Sequence, residues 1–307
     1  MEAIKTQGLT KYYGRSRGIV DLDLSVGQGE FFGFIGPNGA GKSTTIRTLL
    51  GLIKCSSGSV SIFGRDIVKD KMEILSNVGY LPSEVMFYQK MKVKDVIKMS
   101  ADMRKKNCRA EAEILCERLQ LDTEKKVEEL SFGNRKKAAI VCAMQHCPKL
   151  YILDEPTSGL DPLMQREFFN ILRERNAQGA TIFLSSHILS EIQANCTRAA
   201  IIREGRIIAC DSVENLSKTS ARRVVVQGDI ETERLEGIKG MQQNVTAKRP
   251  DTVKDLYKNG RQTSFLYSGD MNRLLKVLAE GNITDLTISE PTLEEIFMHY
   301  YEEGGEA

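Results

Sequence analysis

The hydrophobic residues of this chain fall into short continuous runs separated by longer mixed segments. Three runs, at 31–35, 150–153 and 180–184, have strand length and no alternation, which is typical of strands covered on both faces of a parallel sheet. Residues of about 84–145 are rich in Lys, Glu, Met and Ala, hold few glycines and predict several helices. The pattern predicts an α/β sheet domain interrupted by a helical insert.

The N-terminal part adds smaller elements to this sheet. Residues 2–9 and 19–26 predict two strands around a turn, and a short strand pair is expected around 59–63. A helix is expected over 42–52, after the strand at 31–35 and a glycine-rich loop. Strand, glycine loop and helix in this order are the usual setting of a phosphate site.

The composition changes again near the C-terminus, and we place a domain boundary between 1–220 and 221–307. The second segment predicts a strand at 222–228, a hairpin at 253–267 about Asn259-Gly260, an amphipathic helix at 270–280, a strand near 283–288 and a helix from Pro291. These elements describe a small α+β domain.

Length and charge narrow the class of protein. The 307 residues are 41% hydrophobic and 27% charged, which suits a large globular domain with a smaller one. Because 43 basic residues oppose 41 acidic ones, the net charge is only +2, and no nucleic-acid partner is expected. No apolar run approaches the roughly 18 residues needed to cross a bilayer. A membrane-spanning part would belong to another chain.

Seven cysteines are scattered along the chain without a C-x-x-C pair. Cys142 and Cys147 lie closest together, and His146 between them makes zinc an alternative to consider. One pair without a second pair of ligands is a poor zinc signature, so we expect reduced thiols and a reducing cytosol.

The glycine-rich loop matches the pattern G-x-x-x-x-G-K-[ST] in full. Glycines let successive backbone amides curl around a polyphosphate, and the following helix directs its positive end to the same anion. Lys42 would reach the terminal phosphates, and Ser43 would offer a hydroxyl to magnesium. The expected phosphate-binding residues are Gly36, Pro37, Asn38, Gly39, Ala40, Gly41, Lys42, Ser43 and Thr44. The fold class is therefore a P-loop NTPase sheet domain with a helical insert, plus the C-terminal α+β domain.

Two acidic residues end the apolar run at 150–153. Ligands gather at the carboxyl ends of parallel strands, so Asp154 would hold Mg²⁺ together with Ser43. Glu155, the next residue, would point to the opposite side and polarise an attacking water, a role that distinguishes a hydrolase from a nucleotide binder.

From these residues onward the chain resembles the ATP-binding subunits of ABC transporters over about its first 215 residues. Glu155 is followed by a segment similar to that family's D-loop, which includes Asp161, and residues 184–187 are similar to its switch region, which ends at His187. The resemblance implies ATP as the nucleotide, with Lys42, Glu155 and His187 as catalytic residues. Tyr13 is similar to the aromatic residue that stacks on adenine in this family, with Tyr12 as the alternative.

Residues 130–134, Leu-Ser-Phe-Gly-Asn, stand where the family has its LSGGQ signature. Phe132 and Asn134 depart from that pattern, whereas Ser131 can cap the next helix and Gly133 leaves a bare amide for a γ-phosphate. The resemblance implies a head-to-tail homodimer in which the phosphate loop of one copy and Ser131 and Gly133 of the other enclose each ATP.

The family's glutamine loop is the weakest correspondence. Gly79-Tyr80-Leu81-Pro82 is followed by Ser83 and Glu84 where the family usually has glutamine, and either residue is a candidate for its role.

The resemblance also implies a partner and a place in the cell. Residues 290–297 are similar to the C-terminal segment of the drug-resistance-type branch, whose members power exporters with a separate membrane-spanning chain. We therefore expect an ATPase at the cytoplasmic face of the cell membrane, docked on a permease through the helical insert. The alternative is a soluble ABC-type ATPase that acts on a ribosome or nucleic-acid partner, although such proteins generally carry two cassettes or a long coiled coil.

Overall fold

The computed structural model describes residues 1–217, 222–229 and 252–289. The chain divides into two compact units, Met1–Leu216 and Ser217–Ala307. The helix expected from Pro291 and the family-like segment at 290–297 lie outside the described residues.

A six-stranded sheet forms the centre of the first unit. Its strand order is β10-β9-β3-β8-β7-β6, and every pairing is parallel except that of the edge strand β10 with β9. The strands are β3 (Phe31–Ile35), β6 (Val78–Leu81), β7 (Leu150–Asp154), β8 (Thr181–Ser186), β9 (Arg198–Arg203) and β10 (Arg206–Ser212). Every residue of β3, β7 and β8 is buried, so the prediction of strands covered on both faces is confirmed.

A second, antiparallel sheet has the order β2-β1-β4-β5. Its strands are β1 (Glu2–Tyr13), β2 (Ser16–Gly27), β4 (Ser57–Ile62) and β5 (Arg65–Asp66). The first two strands are longer than predicted, because their pairing continues to Tyr13 and Ser16 across a tight turn at Gly14. Apolar side chains of both sheets form one core, in which Phe32 and Phe183 stack with ring centroids 5.9 Å apart.

Helices pack against the sheets, and three of them belong to the chain segment that connects β6 to β7. They are α1 (Lys42–Leu49), α2 (Lys71–Ser76), α3 (Val93–Met103), α4 (Arg109–Arg118), α5 (Phe132–Met144), α6 (Pro162–Ala177), α7 (Leu189–Asn195) and α8 (Val213–Ser217). The prediction that the first helix runs to residue 52 is wrong. It ends at Leu49, and Gly51 then takes a left-handed φ of 60° that a continuing helix does not allow.

Two helix starts carry side-chain caps, of which the one at Ser131 is predicted from the sequence. The Ser131 hydroxyl accepts a hydrogen bond from the Asn134 amide at 3.3 Å, which confirms the predicted cap of α5. Asp161 caps α6 in the same way at 3.0 Å from the Met164 amide, and Pro162 occupies the first helical position.

The second unit contains a four-stranded antiparallel sheet of order β12-β13-β11-β14 and one described helix, α9 (Met271–Ala279). Its strands are β11 (Arg222–Asp229), β12 (Thr252–Asn259), β13 (Gln262–Ser268) and β14 (Asn282–Ser289). The predicted hairpin and helix are thus confirmed, and the unit has its own apolar core around Val226, Phe265 and Leu274. Across all the ranges that the structure describes, no helix has the length and apolarity to span a bilayer.

Candidate functional site

The glycine-rich loop connects the end of β3 to the start of α1. Gly41 is the N-cap of α1 with a φ of 110°. The first amides of a helix have no intrahelical partner, and Gly41 has no side chain that could accept a hydrogen bond from them. A Cβ on Gly36 would come within 2.4 Å of the Ile202 carbonyl oxygen, so only glycine fits there. The loop is therefore arranged as a backbone cradle for an anion.

A cavity of about 290 Å³ opens on this loop. Its walls are formed by Tyr13, Arg17, Gly18, Pro37, Asn38, Gly39, Gly41, Lys42, Ser43, Thr44, Ser83 and Glu155. Most of the predicted phosphate-loop residues therefore meet at one place. Gly36 and Ala40 do not line the cavity, and the buried Ala40 instead links the loop to the β9–β10 turn, where the Gly205 amide donates to its carbonyl oxygen at 2.8 Å.

The ammonium of Lys42 is buried at the base of the loop. It donates to the carbonyl oxygens of Gly36 and Pro37 at 2.6 and 3.1 Å, and it lies 3.1 Å from Glu155 Oε1. The side chain is only 6% exposed, so its charge is compensated by these three oxygens rather than by water. A positive charge is thereby fixed beside the cavity.

Asp154 and Glu155 leave β7 in different directions. Asp154 is fully buried, and its Oδ1 accepts a hydrogen bond from the Ser185 hydroxyl at 3.1 Å. Glu155 has a φ of 50°, a left-handed value that non-glycine residues rarely adopt, and this turn brings its carboxylate to the cavity wall. Such a backbone costs on the order of 1–3 kcal/mol, and residues of this kind concentrate at functional sites.

His187 follows the end of β8 and contacts the same carboxylate. Its Nδ1 is hydrogen-bonded to Glu155 Oε2, while Lys42 faces Oε1. His187 is about half exposed and does not itself line the cavity. The two carboxylate oxygens are thus held by different groups, which fixes the orientation of Glu155.

A buried carboxylate that the sequence did not reveal joins the two loops that carry these residues. Glu191 on α7 accepts hydrogen bonds from the hydroxyls of Thr157 and Ser186, at 2.6 and 2.7 Å. Thr157 follows Glu155 by two positions, and Ser186 precedes His187. The sequence offers no signal that Glu191 links these loops, because its two partners follow or end separate strands and are distant from each other along the chain.

Arg17 is a second residue that sequence reasoning missed. It lines the cavity together with Tyr13 and Gly18, and its guanidinium forms an ion pair with Glu204 of the β9–β10 turn at 2.9 Å. Of the two tyrosine candidates, Tyr13 lines the cavity and Tyr12 does not. The Lys11 ammonium lies 5.2 Å from the centroid of the Tyr13 ring.

Ser131, Gly133 and Asp161 do not line this cavity. They lie at the starts of α5 and α6. The start of α5 packs closely on the loop before α6, since a Cβ on Gly133 would come within 2.5 Å of the Gly159 carbonyl oxygen. At the position of the family's glutamine, Ser83 lines the cavity and Glu84 does not.

All seven cysteines are free thiols. His146 is buried, and burial lowers its pKa to about 4, so the ring is neutral at physiological pH. Its Nε2 lies 3.2 Å from the Val78 carbonyl oxygen. In the described part of the chain, no group of three or more His, Cys, Asp or Glu side chains is arranged for a metal ion.

Comparison with known proteins places this geometry in a family. The ABC transporter family model matches residues 19–158. The bacitracin transport ATP-binding protein BcrA of Bacillus licheniformis is 36% identical over 305 residues, which cover 96% of each chain. The linearmycin resistance ATP-binding protein LnrL of Bacillus subtilis is 28% identical over 311 residues, covering 96% of this chain and 97% of the relative.

A solved structure shares the fold of the first unit. The ADP conformation of MJ1267, an ATP-binding cassette of an ABC transporter, is 26% identical and superposes with a TM-score of 0.60, covering 70% of this chain and 92% of that one. The resemblance inferred from the motifs is confirmed by these comparisons. A phosphate loop, a carboxylate turned into its cavity and near full-length relatives together establish that this chain belongs to the ATP-binding subunits of ABC transporters, the ATPases of these systems.

Proposed function

We propose that the cavity at the phosphate loop binds MgATP and that Glu155 and His187 direct the hydrolysis of this nucleotide. The observation that carries the proposal is the Glu155 carboxylate, which lies at the cavity wall between Lys42 and His187. A carboxylate held in this way can accept a proton from a water that attacks the terminal phosphate. Lys42 would move from the loop carbonyls to the phosphate oxygens, and Tyr13 would stack on the adenine.

Ser43 and Asp154 are the residues proposed to hold magnesium, which when bound would neutralise charge on the phosphates. Ser43 lines the cavity. Asp154 Oδ2 is buried, and no described residue offers it a hydrogen bond. A buried carboxylate oxygen without a protein partner fits a cation or its bound water, which supports this assignment.

We further propose that two copies pack head to tail, so that Ser131 and Gly133 of one copy close the cavity of the other. The first amides of α5 and the bare backbone at Gly133 would face the γ-phosphate. Asp161, at the start of α6, would lie at the same interface. Closure by ATP and opening after hydrolysis would then supply the motion that drives transport.

The work of this dimer is proposed to be export through a separate membrane-spanning permease, at the cytoplasmic face of the membrane. Relatives that match nearly the whole chain carry names for bacitracin transport and linearmycin resistance, which supports an antibiotic-type cargo. Those names favour a transporter over the alternative of a soluble ATPase that acts on a ribosome or nucleic acid.

Replacement of Glu155 by Gln tests the proposal. The amide keeps the size of the side chain but cannot accept the proton, so turnover is expected to fall by about 10²–10⁴-fold. Binding of ATP is expected to persist, so the variant should accumulate as an ATP-dependent dimer. Size-exclusion chromatography with light scattering, with and without MgATP, measures the mass of the assembly.

The matched control is Glu73→Gln, which changes an exposed carboxylate on α2 that pairs with Arg65. This variant is expected to keep wild-type turnover. A Glu155→Gln chain that binds MgATP but remains monomeric at saturating nucleotide would rule out the head-to-tail closure.

A further inference from the structure

Lys136, on the second turn of α5, is a charged side chain that none of the roles above uses. It is 1% exposed, and its ammonium donates to the carbonyl oxygens of Pro82 and Ser83 at 3.1 and 3.0 Å. A buried ammonium is costly, and two neutral carbonyl groups compensate only part of that cost. The position of this charge therefore calls for an explanation beyond packing.

One of the two residues whose carbonyl oxygens accept from Lys136 lines the phosphate cavity. Pro82 and Ser83 follow the end of β6, and the Ser83 residue forms part of the cavity wall. Lys136 thus connects α5 to the wall of the cavity that its own chain provides for ATP.

The same helix also carries the residues that are proposed to contact the other copy. Ser131 caps α5, and Gly133 lies in its first turn, one turn before Lys136. A helical segment can carry coupling between two sites as a rigid element. A displacement of the cavity wall at Ser83 is therefore transmitted to Ser131 and Gly133 while the Lys136 ammonium stays hydrogen-bonded to the two carbonyl oxygens.

We propose that Lys136 is a positioning residue that couples the ATP cavity of its own chain to Ser131 and Gly133, the residues that close the cavity of the partner copy. The inference rests on the proposed function, because it assigns the cavity to ATP and the edge to a second copy. Burial lowers the pKa of Lys136, and the carboxylates of Asp154 and Glu155 oppose this effect electrostatically. The link is thus sensitive to the charges of the site itself.

The test uses the full-length chain with Lys136→Met, which keeps an unbranched side chain only one atom shorter and removes the ammonium. Binding of ADP, which takes place in the cavity of one chain and needs no partner copy, is expected to stay within about twofold of wild type. The turnover number for ATP is expected to fall roughly tenfold, the effect of losing about one hydrogen bond in the closed state. In a Glu155→Gln background, the ATP concentration for half-maximal dimer formation should rise by a similar factor.

Two further variants separate coupling from simple packing. Lys136→Arg keeps a charged donor and is expected to recover most of the turnover, whereas Lys98→Met changes an exposed lysine on α3 and should match wild type. If Lys136→Met retains the wild-type turnover and dimerisation midpoint, the coupling role is excluded. A parallel loss of ADP affinity, turnover and thermal midpoint would equally exclude it and make Lys136 a packing residue.

Failure of the underlying assignment has a different signature. If Lys42→Ala leaves ADP affinity at the wild-type value, the cavity is not the nucleotide site and the proposed function is wrong, whatever Lys136 does. If the Glu155→Gln chain alone does not dimerise with ATP, the proposed head-to-tail closure fails before the coupling is considered.

Discussion

The orientation of Glu155 depends on backbone and side-chain contacts that act together. Its left-handed φ turns the carboxylate away from the strand direction, and Lys42 and His187 then hold one oxygen each. Asp154, one residue earlier, stays within the sheet and is fixed by Ser185. The two adjacent carboxylates thus have different surroundings. Such a difference commonly leaves one carboxylate to bind a metal and the other to transfer a proton.

Lys136 makes the stability of the chain depend on pH in a defined direction. Burial lowers its pKa from 10.5 to about 8, so between these values the unfolded chain binds more protons than the folded one. Stability contributed through this group therefore rises as the pH increases from 8 to 10.5, because the folded protein no longer carries a buried charge.

Between pH 8 and 10.5, the free energy of unfolding of wild type is expected to rise relative to that of Lys136→Met by on the order of 3 kcal/mol, since each pKa unit corresponds to about 1.4 kcal/mol. Urea denaturation of both proteins at pH 7 and pH 10 measures the difference, and the comparison cancels the other groups that titrate in this range. An equal pH response of the two proteins would mean that Lys136 does not have the lowered pKa.

At the scale of elements, Phe132, which departs from the family signature, makes a packing contact with the loop before α6. Its ring lies on Gly159, where an added Cβ would come within 2.2 Å of the ring, and the Gly159 backbone has a φ of 81°. The start of α5 and the loop before α6 are therefore packed together through a contact that a glycine at position 132 would not make.

A double-mutant cycle tests this contact. Gly159→Ala is expected to destabilise the wild-type chain by about 2–4 kcal/mol, because the methyl group meets the Phe132 ring as well as an unfavourable φ. In a Phe132→Ala background only the backbone strain remains, so the cost should fall by about 1–3 kcal/mol. Additive free energies of unfolding, measured in urea, would show that the two residues do not interact.

At the scale of the whole molecule, the residues of the candidate site all belong to the first unit. The cavity walls and the apolar core shared by its two sheets lie within Met1–Leu216, and the second unit has a separate core. A domain with its own core can in principle fold alone. The affinity for nucleotide is therefore expected to be independent of the C-terminal unit.

A fragment of residues 1–220 should accordingly bind ATP with an affinity within about threefold of the full chain, a difference below 1 kcal/mol. Titration with a fluorescent ATP analogue measures the affinity, and circular dichroism reports whether the fragment is folded. A folded fragment that loses ATP binding would contradict this division of labour and assign part of the site to the second unit.

The sequence determined the parts of this protein that depend on short stretches of chain. The phosphate loop, the buried strands, the caps at Ser131 and Asp161 and the hairpin at Asn259-Gly260 follow from local backbone requirements, which a few adjacent residues satisfy. The order of these motifs was also enough to indicate the family.

Only the tertiary structure decided which distant residues meet. The contact of Lys136 with Pro82 joins positions 54 residues apart, and that of Glu191 with Thr157 joins positions 34 apart. In the sequence a lysine or glutamate on a helix is indistinguishable from a solvated surface residue. Its burial and its partners arise when strands and helices pack, because packing places strand ends side by side irrespective of their separation along the chain.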